Sequence, residues 1–168
     1  MLRRSILKGA ASLLLTAVPF AAAGKAMSTT SLHEAAGKND VAAIKKILTE
    51  GVEIDARDAD GATALLVATH GNRLDAASAL IEAGADVNAK DRIEDSPYLY
   101  AGARGHLDIL KLTLSHGADL RSTNRYGGTA LIPASERGHV ETVRTLIEAG
   151  VDVDHVNRLG WTALLEAI

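Results

Sequence analysis

The side chains able to do chemistry are six histidines and 21 carboxylates, with no cysteine beside them. The nearest approach to a metal motif is Asp58, Asp60 and Gly61, which match part of a calcium-binding loop. The first ligand position of such a loop would be Ala56 and the bidentate acid position Val67, and neither side chain has an oxygen. The same residue types are common in tight turns. We therefore interpret them as a turn and predict no metal site.

The histidines lack the spacing of a metal ligand set. His106 and His139 lie 33 residues apart, each directly before an apolar residue, and with His33 they are predicted to bridge backbone groups of turns. The chain has no Gly-x-x-x-x-Gly-Lys-Ser/Thr run, no Gly-x-Ser-x-Gly elbow and no His-Glu-x-x-His pair. The sequence thus predicts no catalytic residue, no cofactor site and no enzyme.

A 33-residue period positions the other side chains. Glycine returns at this interval without insertion or deletion, and Asp or Asn, Thr or Ser, and Ala recur in the same phase. These residues are Gly51, Gly84, Gly117 and Gly150; Asp58, Asp91, Asn124 and Asn157; Thr63, Ser96, Thr129 and Thr162; and Ala35, Ala68, Ala101, Ala134 and Ala167. A fixed period of this length is typical of a stacked repeat array.

Over residues 30–168 the repeated motif resembles that of the ankyrin-repeat family. That family opens its unit with Thr-Pro-Leu-His-x-Ala-Ala, which is similar to residues 63–68, 96–101 and 129–134, and closes it with Gly-Ala-Asp-Val-Asn, which residues 84–88 reproduce. The resemblance implies an all-α repeat solenoid of stacked helix-turn-helix units joined by β-hairpin loops. The expected repeats span about 30–57, 58–90, 91–123, 124–156 and an incomplete 157–168.

Local chemistry predicts details of each unit. The Thr and Ser residues of the period should cap the first helix with their hydroxyl groups, and the glycines should end the second helix in a left-handed conformation. Tyr98 takes a leucine place in the core. Glu94 stands where the other hairpins have glycine, and we expect a shifted hairpin there because a side chain disfavours positive φ.

The first 23 residues lie outside the repeat and resemble a twin-arginine export signal. Arg3 and Arg4 precede a weakly apolar stretch, and residues 21–23 are the small alanines that a signal peptidase reads. We predict a signal peptide at 1–23, a linker at 24–29 and a periplasmic or secreted repeat domain at 30–168. The alternatives are an ordinary Sec signal, or a cytoplasmic protein if the signal is not used. The apolar stretch is shorter than the ~20 residues that span a bilayer, so no stable membrane insertion is expected after cleavage.

Signal cleavage would make the chain more acidic. It removes Arg3, Arg4 and Lys8 from the 18 basic residues and none of the 21 acidic ones, which leaves 15 basic residues and a net charge of −6. An acidic surface argues against nucleic acid as a partner. The predicted partner is another protein, and the chain itself is expected to be monomeric.

The resemblance places hairpin tips and first helices along a concave groove, where large rings have no core to fill. Tyr, Trp and Arg dominate protein interfaces, and three arginines recur on successive tips. The predicted protein-binding residues are Arg92, Ile93, Tyr100, Arg104, Arg125, Tyr126, Arg137, Arg158 and Trp161. The alternative interpretation is that the tip arginines only keep the edge soluble and that Trp161 packs on a neighbouring repeat.

The predicted function is that of a non-enzymatic, exported scaffold that binds another protein. The alternative is a targeting or regulatory ankyrin domain of a longer or multi-subunit enzyme. Because Ile168 falls inside the first helix of the fifth unit, we expect the printed chain to be a fragment.

Overall fold

A computed structural model describes residues 32–167, and in that range it is helical with no β-strand. The predicted signal peptide, linker and first residues of repeat one lie outside the described residues. Each of the first four repeats contributes two helices, and the fifth contributes one within the described residues. The first helices are α1 (residues 32–37), α3 (Ala64–His70), α5 (Pro97–Arg104), α7 (Leu131–Glu136) and α9 (Ala163–Glu166). The second helices are α2 (Val41–Thr49), α4 (Leu74–Glu82), α6 (Leu107–Ser115) and α8 (Val140–Glu148).

The helices form two layers, as the predicted solenoid requires. First helices pack on first helices of the neighbouring repeats, and second helices do the same in the outer layer. The repeated alanines Ala35, Ala68, Ala101 and Ala134 are buried where the layers meet. Their small side chains allow the close approach of neighbouring helices, and leucine and isoleucine fill the space between the layers.

Three of the four predicted hydroxyl caps are confirmed. Thr63, Ser96 and Thr162 accept hydrogen bonds from backbone N–H groups three residues later, with distances of 3.2, 3.2 and 3.3 Å. The prediction is wrong at Thr129, whose hydroxyl is buried without a hydrogen-bond partner in the described part of the chain. Helix α7 begins two residues later, at Leu131.

Pro133 explains this difference. In α3 and α5 the cap residue's carbonyl accepts the first helical hydrogen bond from the residue four positions later, at 3.0 Å for Val67 N and 2.8 Å for Tyr100 N. The equivalent donor for Thr129 would be Pro133, which has no N–H. The first turn therefore does not close on Thr129, and its hydroxyl is left without its usual donor.

Replacing this hydroxyl should stabilise the protein. We expect Thr129→Val to raise the free energy of unfolding by about 1 kcal/mol, because it removes a buried polar group that makes no hydrogen bond. The matched variant Thr63→Val should lower it by about 1 kcal/mol, because that hydroxyl caps α3. Urea denaturation followed by circular dichroism measures both, and destabilisation by Thr129→Val would contradict the assignment.

The hairpin tips are five-residue turns at 58–62, 91–95, 124–128 and 157–161. In each turn the first residue's N–H donates to the carbonyl of the fifth at 2.9 to 3.0 Å. The side-chain oxygen of Asp58, Asp91, Asn124 or Asn157 accepts two further backbone N–H groups of the same turn. The Asp or Asn of the period thus builds the tip, which confirms the turn interpretation of Asp58.

The third tip is not shifted, contrary to the prediction. Glu94 adopts φ of +65°, close to the +80°, +73° and +84° of Gly61, Gly127 and Gly160 at the same position. Its N–H donates to Asp91 O at 3.2 Å, as in the other tips. The capping oxygen of Asp91 holds the turn, so the backbone of Glu94 takes a left-handed conformation and the loop keeps its shape.

Removing the Cβ of Glu94, whose backbone has positive φ, should also stabilise the repeat. We expect Glu94→Gly to raise the free energy of unfolding by about 1 kcal/mol, since glycine meets no Cβ penalty at positive φ. Glu94→Ala keeps the Cβ and serves as the control that should bring no such gain. Equal stabilisation by both variants, measured by urea denaturation, would show that the charge of Glu94 and not its backbone is responsible.

Candidate functional site

A pocket of about 290 Å³ opens between the last three tips and the first helices α5, α7 and α9. We call it the tip pocket. Its lining includes Asp95, Tyr100, Arg104, Asn124, Arg125, Tyr126, Pro133, Glu136, Arg137, Asn157, Leu159, Trp161 and Glu166. The tips supply Asp95, Arg125, Tyr126 and Trp161, and the first helices supply Tyr100, Arg104, Glu136 and Glu166.

Six of the nine predicted binding residues meet in this pocket. They are Tyr100, Arg104, Arg125, Tyr126, Arg137 and Trp161. The other three, Arg92, Ile93 and Arg158, are exposed on the tips but do not line it. The structure thus brings together six of the residues that the sequence pointed to, and the other three lie outside the lining.

The two tip rings are half exposed. Tyr126 is 51% and Trp161 48% accessible, although both are large apolar side chains. The guanidinium of Arg125 lies over the Tyr126 ring, with its carbon 4.8 Å from the ring centre. Hydrogen bonding by Tyr126 raises the pKa of Arg125. These contacts hold Tyr126 and Arg125 in place as one unit at the mouth of the pocket.

Tyr100 is positioned by three neighbours. The His70 ring lies 4.2 Å from it at 51°, the His106 ring 6.0 Å away edge-on, and the Arg104 guanidinium 5.4 Å from its centre. Burial lowers the pKa of His70 and of His106, so both rings pack as neutral groups at pH 7. Tyr100 is therefore a fixed wall of the pocket, half-buried between the second and third repeats.

The histidines play mixed roles. His33 Nε2 contacts Ala62 O at 2.9 Å and His155 Nε2 contacts Gly127 O at 2.6 Å, so the predicted bridging of a turn is confirmed for His33. It is wrong for His106 and His139, which precede α6 and α8 without a side-chain cap. The His106 Nδ1 atom is buried without a partner in the described residues. Ring packing determines its position, as shown by the contact with Tyr100.

The basic side chains differ in what they bind. Arg137 donates to Ala103 O and Pro133 O, both at 3.2 Å, and Arg158 donates to Arg125 O at 2.9 Å. These two arginines join consecutive repeats through backbone carbonyl groups. Arg104 and Arg125 instead lie on tyrosine rings.

Three carboxylates that the sequence did not single out also line the tip pocket. They are Asp95, Glu136 and Glu166. Burial raises the pKa of Asp95, the charge of Asp91 adds to this rise, and Arg125 and Arg104 oppose it. The sequence did contain a feature that could have drawn attention to Asp95, because the other tips have Ala62, Gly128 and Trp161 at this position. In the third tip alone this position carries a charge.

Within residues 32–167, no group of three His, Cys, Asp or Glu side chains has the arrangement to hold a metal ion. In the same range no helix is both long and apolar enough to cross a membrane.

Comparison with known proteins gives the family. A family model for ankyrin repeats, in three copies, matches residues 5–91 and 98–168, and the unmatched segment contains most of the third tip. A crystal structure of an ankyrin repeat domain from Acinetobacter baumannii AYE is 72% identical, with a TM-score of 0.79, and the match covers 81% of this chain and 69% of that one. The structure of the ankyrin repeat protein EF0377 is 47% identical, with a TM-score of 0.79 and coverage of 83% and 72%. No curated protein matches the chain. The family match and the stacked helix pairs together show that this chain belongs to the ankyrin-repeat family.

Proposed function

We propose that this chain is an exported, non-enzymatic scaffold that binds another protein through its hairpin tips and concave groove. Ankyrin repeats are generally protein-interaction modules. The observation that carries the proposal is the pair of half-exposed rings, Tyr126 and Trp161, on the wall of one pocket. Aromatic and arginine side chains of this kind supply most of the binding energy in protein interfaces.

Neither ring has a role in the core. The core of the described residues consists of Leu, Ile, Val and Ala with one tyrosine, Tyr98, and it closes without Tyr126 and Trp161. Keeping apolar rings in water is unfavourable by about 25 cal/mol per Å² of apolar surface. A partner that covers both rings would recover this free energy.

Photo-crosslinking tests the binding. A photoreactive amino acid in place of Tyr126, in cells that contain the natural partner, should yield a covalent adduct with another protein. The matched control carries the same group at Leu164, which is 73% exposed and outside the pocket lining. An equal yield at both positions, or no adduct at Tyr126, would contradict the proposal.

Alanine substitution then measures the contribution of the rings. Tyr126→Ala with Trp161→Ala should weaken the captured complex by at least about 30-fold, since one hot-spot residue alone contributes about 2 kcal/mol or more. Leu164→Ala is the control and should leave the affinity unchanged. Isothermal titration calorimetry with the captured protein measures both variants.

The two arginines near the N-terminus support the export part of the proposal. A twin-arginine translocase reads both guanidinium groups, whereas a Sec signal needs only positive charge. Replacing Arg3 and Arg4 together with lysine should therefore abolish the periplasmic fraction of the full chain, measured by cell fractionation and immunoblotting. Lys8→Arg is the charge-conserving control. Unchanged export of the double-lysine variant would favour the Sec alternative.

A further inference from the structure

Arg104 and Arg125 are two guanidinium groups of the tip pocket that have no carboxylate partner. Within residues 32–167 the ion pairs up to 4.0 Å join Lys38 to Glu34, Arg137 to Glu136 and Arg144 to Glu141, and neither pocket arginine takes part. Their guanidinium carbons lie over the rings of Tyr100 and Tyr126, 5.4 Å and 4.8 Å from the ring centres. A guanidinium has five N–H donors, so the ring contacts and the hydrogen bonding of Arg125 with Tyr126 leave further donors available to an anion.

Other arginines of the array are used differently. Arg73 donates to Gly37 O at 3.1 Å, Arg57 to Gly61 O at 2.7 Å and to Lys90 O, and Arg137 and Arg158 to the carbonyl groups described above. Each of these holds backbone of its own or a neighbouring repeat. Arg104 and Arg125 make no such bond to backbone among the described residues, and both line the tip pocket.

A break in the tip-to-tip hydrogen bonds lies at the same place. Arg92 N donates to Asp60 O at 3.2 Å and Arg158 N to Tyr126 O at 3.0 Å, each to the preceding tip. The equivalent bond from Arg125 N to Ile93 O is not formed, and Arg125 N has no other acceptor in the described residues. The backbone N–H of Arg125 and the guanidinium donors that Tyr126 does not use are therefore available between the third and fourth tips.

We propose that the gap between the third and fourth tips binds the side-chain carboxylate of an Asp or Glu from the partner protein, with Arg104 and Arg125 as its donors. This inference rests on the proposed function. An apolar neighbour of that acidic residue would lie on the rings of Tyr126 and Trp161. Three carboxylates line the same pocket, those of Asp95, Glu136 and Glu166, and they would repel a doubly charged phosphate more strongly than a carboxylate. We therefore assign the ligand a single negative charge.

Substitution of Asp95 tests whether the ligand is an anion or a cation. Its charge attracts Arg104 and Arg125 and opposes an entering carboxylate. If the ligand is an anion, Asp95→Asn should tighten binding and Arg104→Gln or Arg125→Gln should weaken it. If the ligand is a cation, all three effects should have the opposite sign.

Selection from a displayed library of random 12-residue peptides, with the full chain as the target, provides the probe. We expect the enriched peptides to share an Asp or Glu beside an apolar residue. A synthetic peptide from this set should lose at least tenfold in affinity when its acid is changed to the amide, and about tenfold with Arg104→Gln or Arg125→Gln. Asp95→Asn should increase the affinity, and Arg121→Gln, an exposed arginine outside the pocket, should leave it unchanged.

The possible failures can be told apart. Suppose that the enriched peptides need Tyr126 and Trp161 but keep their affinity when their own acidic residue or either arginine is replaced. This result would overturn the inference and leave the protein-binding groove standing. Tighter binding with Arg104→Gln or Arg125→Gln, or weaker binding with Asp95→Asn, would likewise overturn it. A selection without any peptide that depends on Tyr126 or Trp161 would overturn the groove as a binding site together with the inference.

Discussion

Alanine at Gly102 is expected to lower the free energy of unfolding by about 1–3 kcal/mol, because the core between α5 and α7 has no room for a methyl group. A Cβ at Gly102 would lie 2.7 Å from the Cβ of Ala130. Carbon atoms pack best at about 3.5–4.0 Å. The Ala130 methyl is fixed directly to the backbone before α7 and cannot rotate away. The two helices would have to separate, and this outweighs the ~1 kcal/mol that alanine gains over glycine in a helix.

Two variants make this experiment specific. Gly37→Ala adds a Cβ that meets only Val67 Cγ1 at 3.5 Å, an ordinary contact, so its stability should not fall. Ala130→Gly in the Gly102→Ala background should restore part of the loss, and the double-mutant cycle gives the coupling between the two sites. Urea denaturation is the measurement, applied to the parent, Gly102→Ala, Ala130→Gly, the double variant and Gly37→Ala. A Gly102→Ala protein as stable as the parent would show that the helices can move apart without loss.

Phenylalanine at Tyr98 is expected to raise the free energy of unfolding by about 1–3 kcal/mol, which is the penalty of a buried polar group without a partner. Tyr98 is fully buried in the core, and its hydroxyl has no hydrogen-bond partner in the described part of the chain. Burial raises the pKa of the Tyr98 hydroxyl. The same repeat position holds Leu32, Leu65 and Leu131, all buried, so an apolar side chain suits the site.

Tyr100→Phe is the matched control for this variant. Tyr100 lies two residues later on the same helix but is only half-buried, and its hydroxyl is not among the buried groups without a partner. Its loss should change stability by less than about 0.5 kcal/mol. Thermal unfolding by differential scanning calorimetry compares the two variants. Destabilisation by Tyr98→Phe would indicate that the hydroxyl makes a bond, for example to an internal water molecule.

Residue spacing predicted the repeat and most of its local structure. Thr63 and Ser96 as caps and Asp58 as the builder of a tip were readable because their hydrogen bonds span only two to four residues. Two local predictions failed for local reasons. Pro133 removes the donor that would close the turn on Thr129, and Asp91 holds the third tip in register although Glu94 must take positive φ.

The lining of the tip pocket was predictable only in outline. The period placed Tyr126 and Trp161 on tips and Tyr100 on a first helix, and these residues do line one pocket. It did not reveal Asp95 in the same pocket, nor that Arg92 and Arg158 lie outside the lining. Contact between side chains of different repeats depends on the length and the rotamer of each side chain. A 33-residue spacing gives no information on the rotamers.

By itself, then, the sequence determined that this protein is a stack of helix pairs joined by capped tips, since those bonds form between residues close in the chain. Only the tertiary structure decided which arginines bind backbone and which rest on rings. Arg137 and Arg158 find carbonyl groups 34 and 33 residues away, while Arg104 and Arg125 lie on Tyr100 and Tyr126. The choice depends on the distance between neighbouring repeats, which is set by small contacts such as that of Gly102 with Ala130.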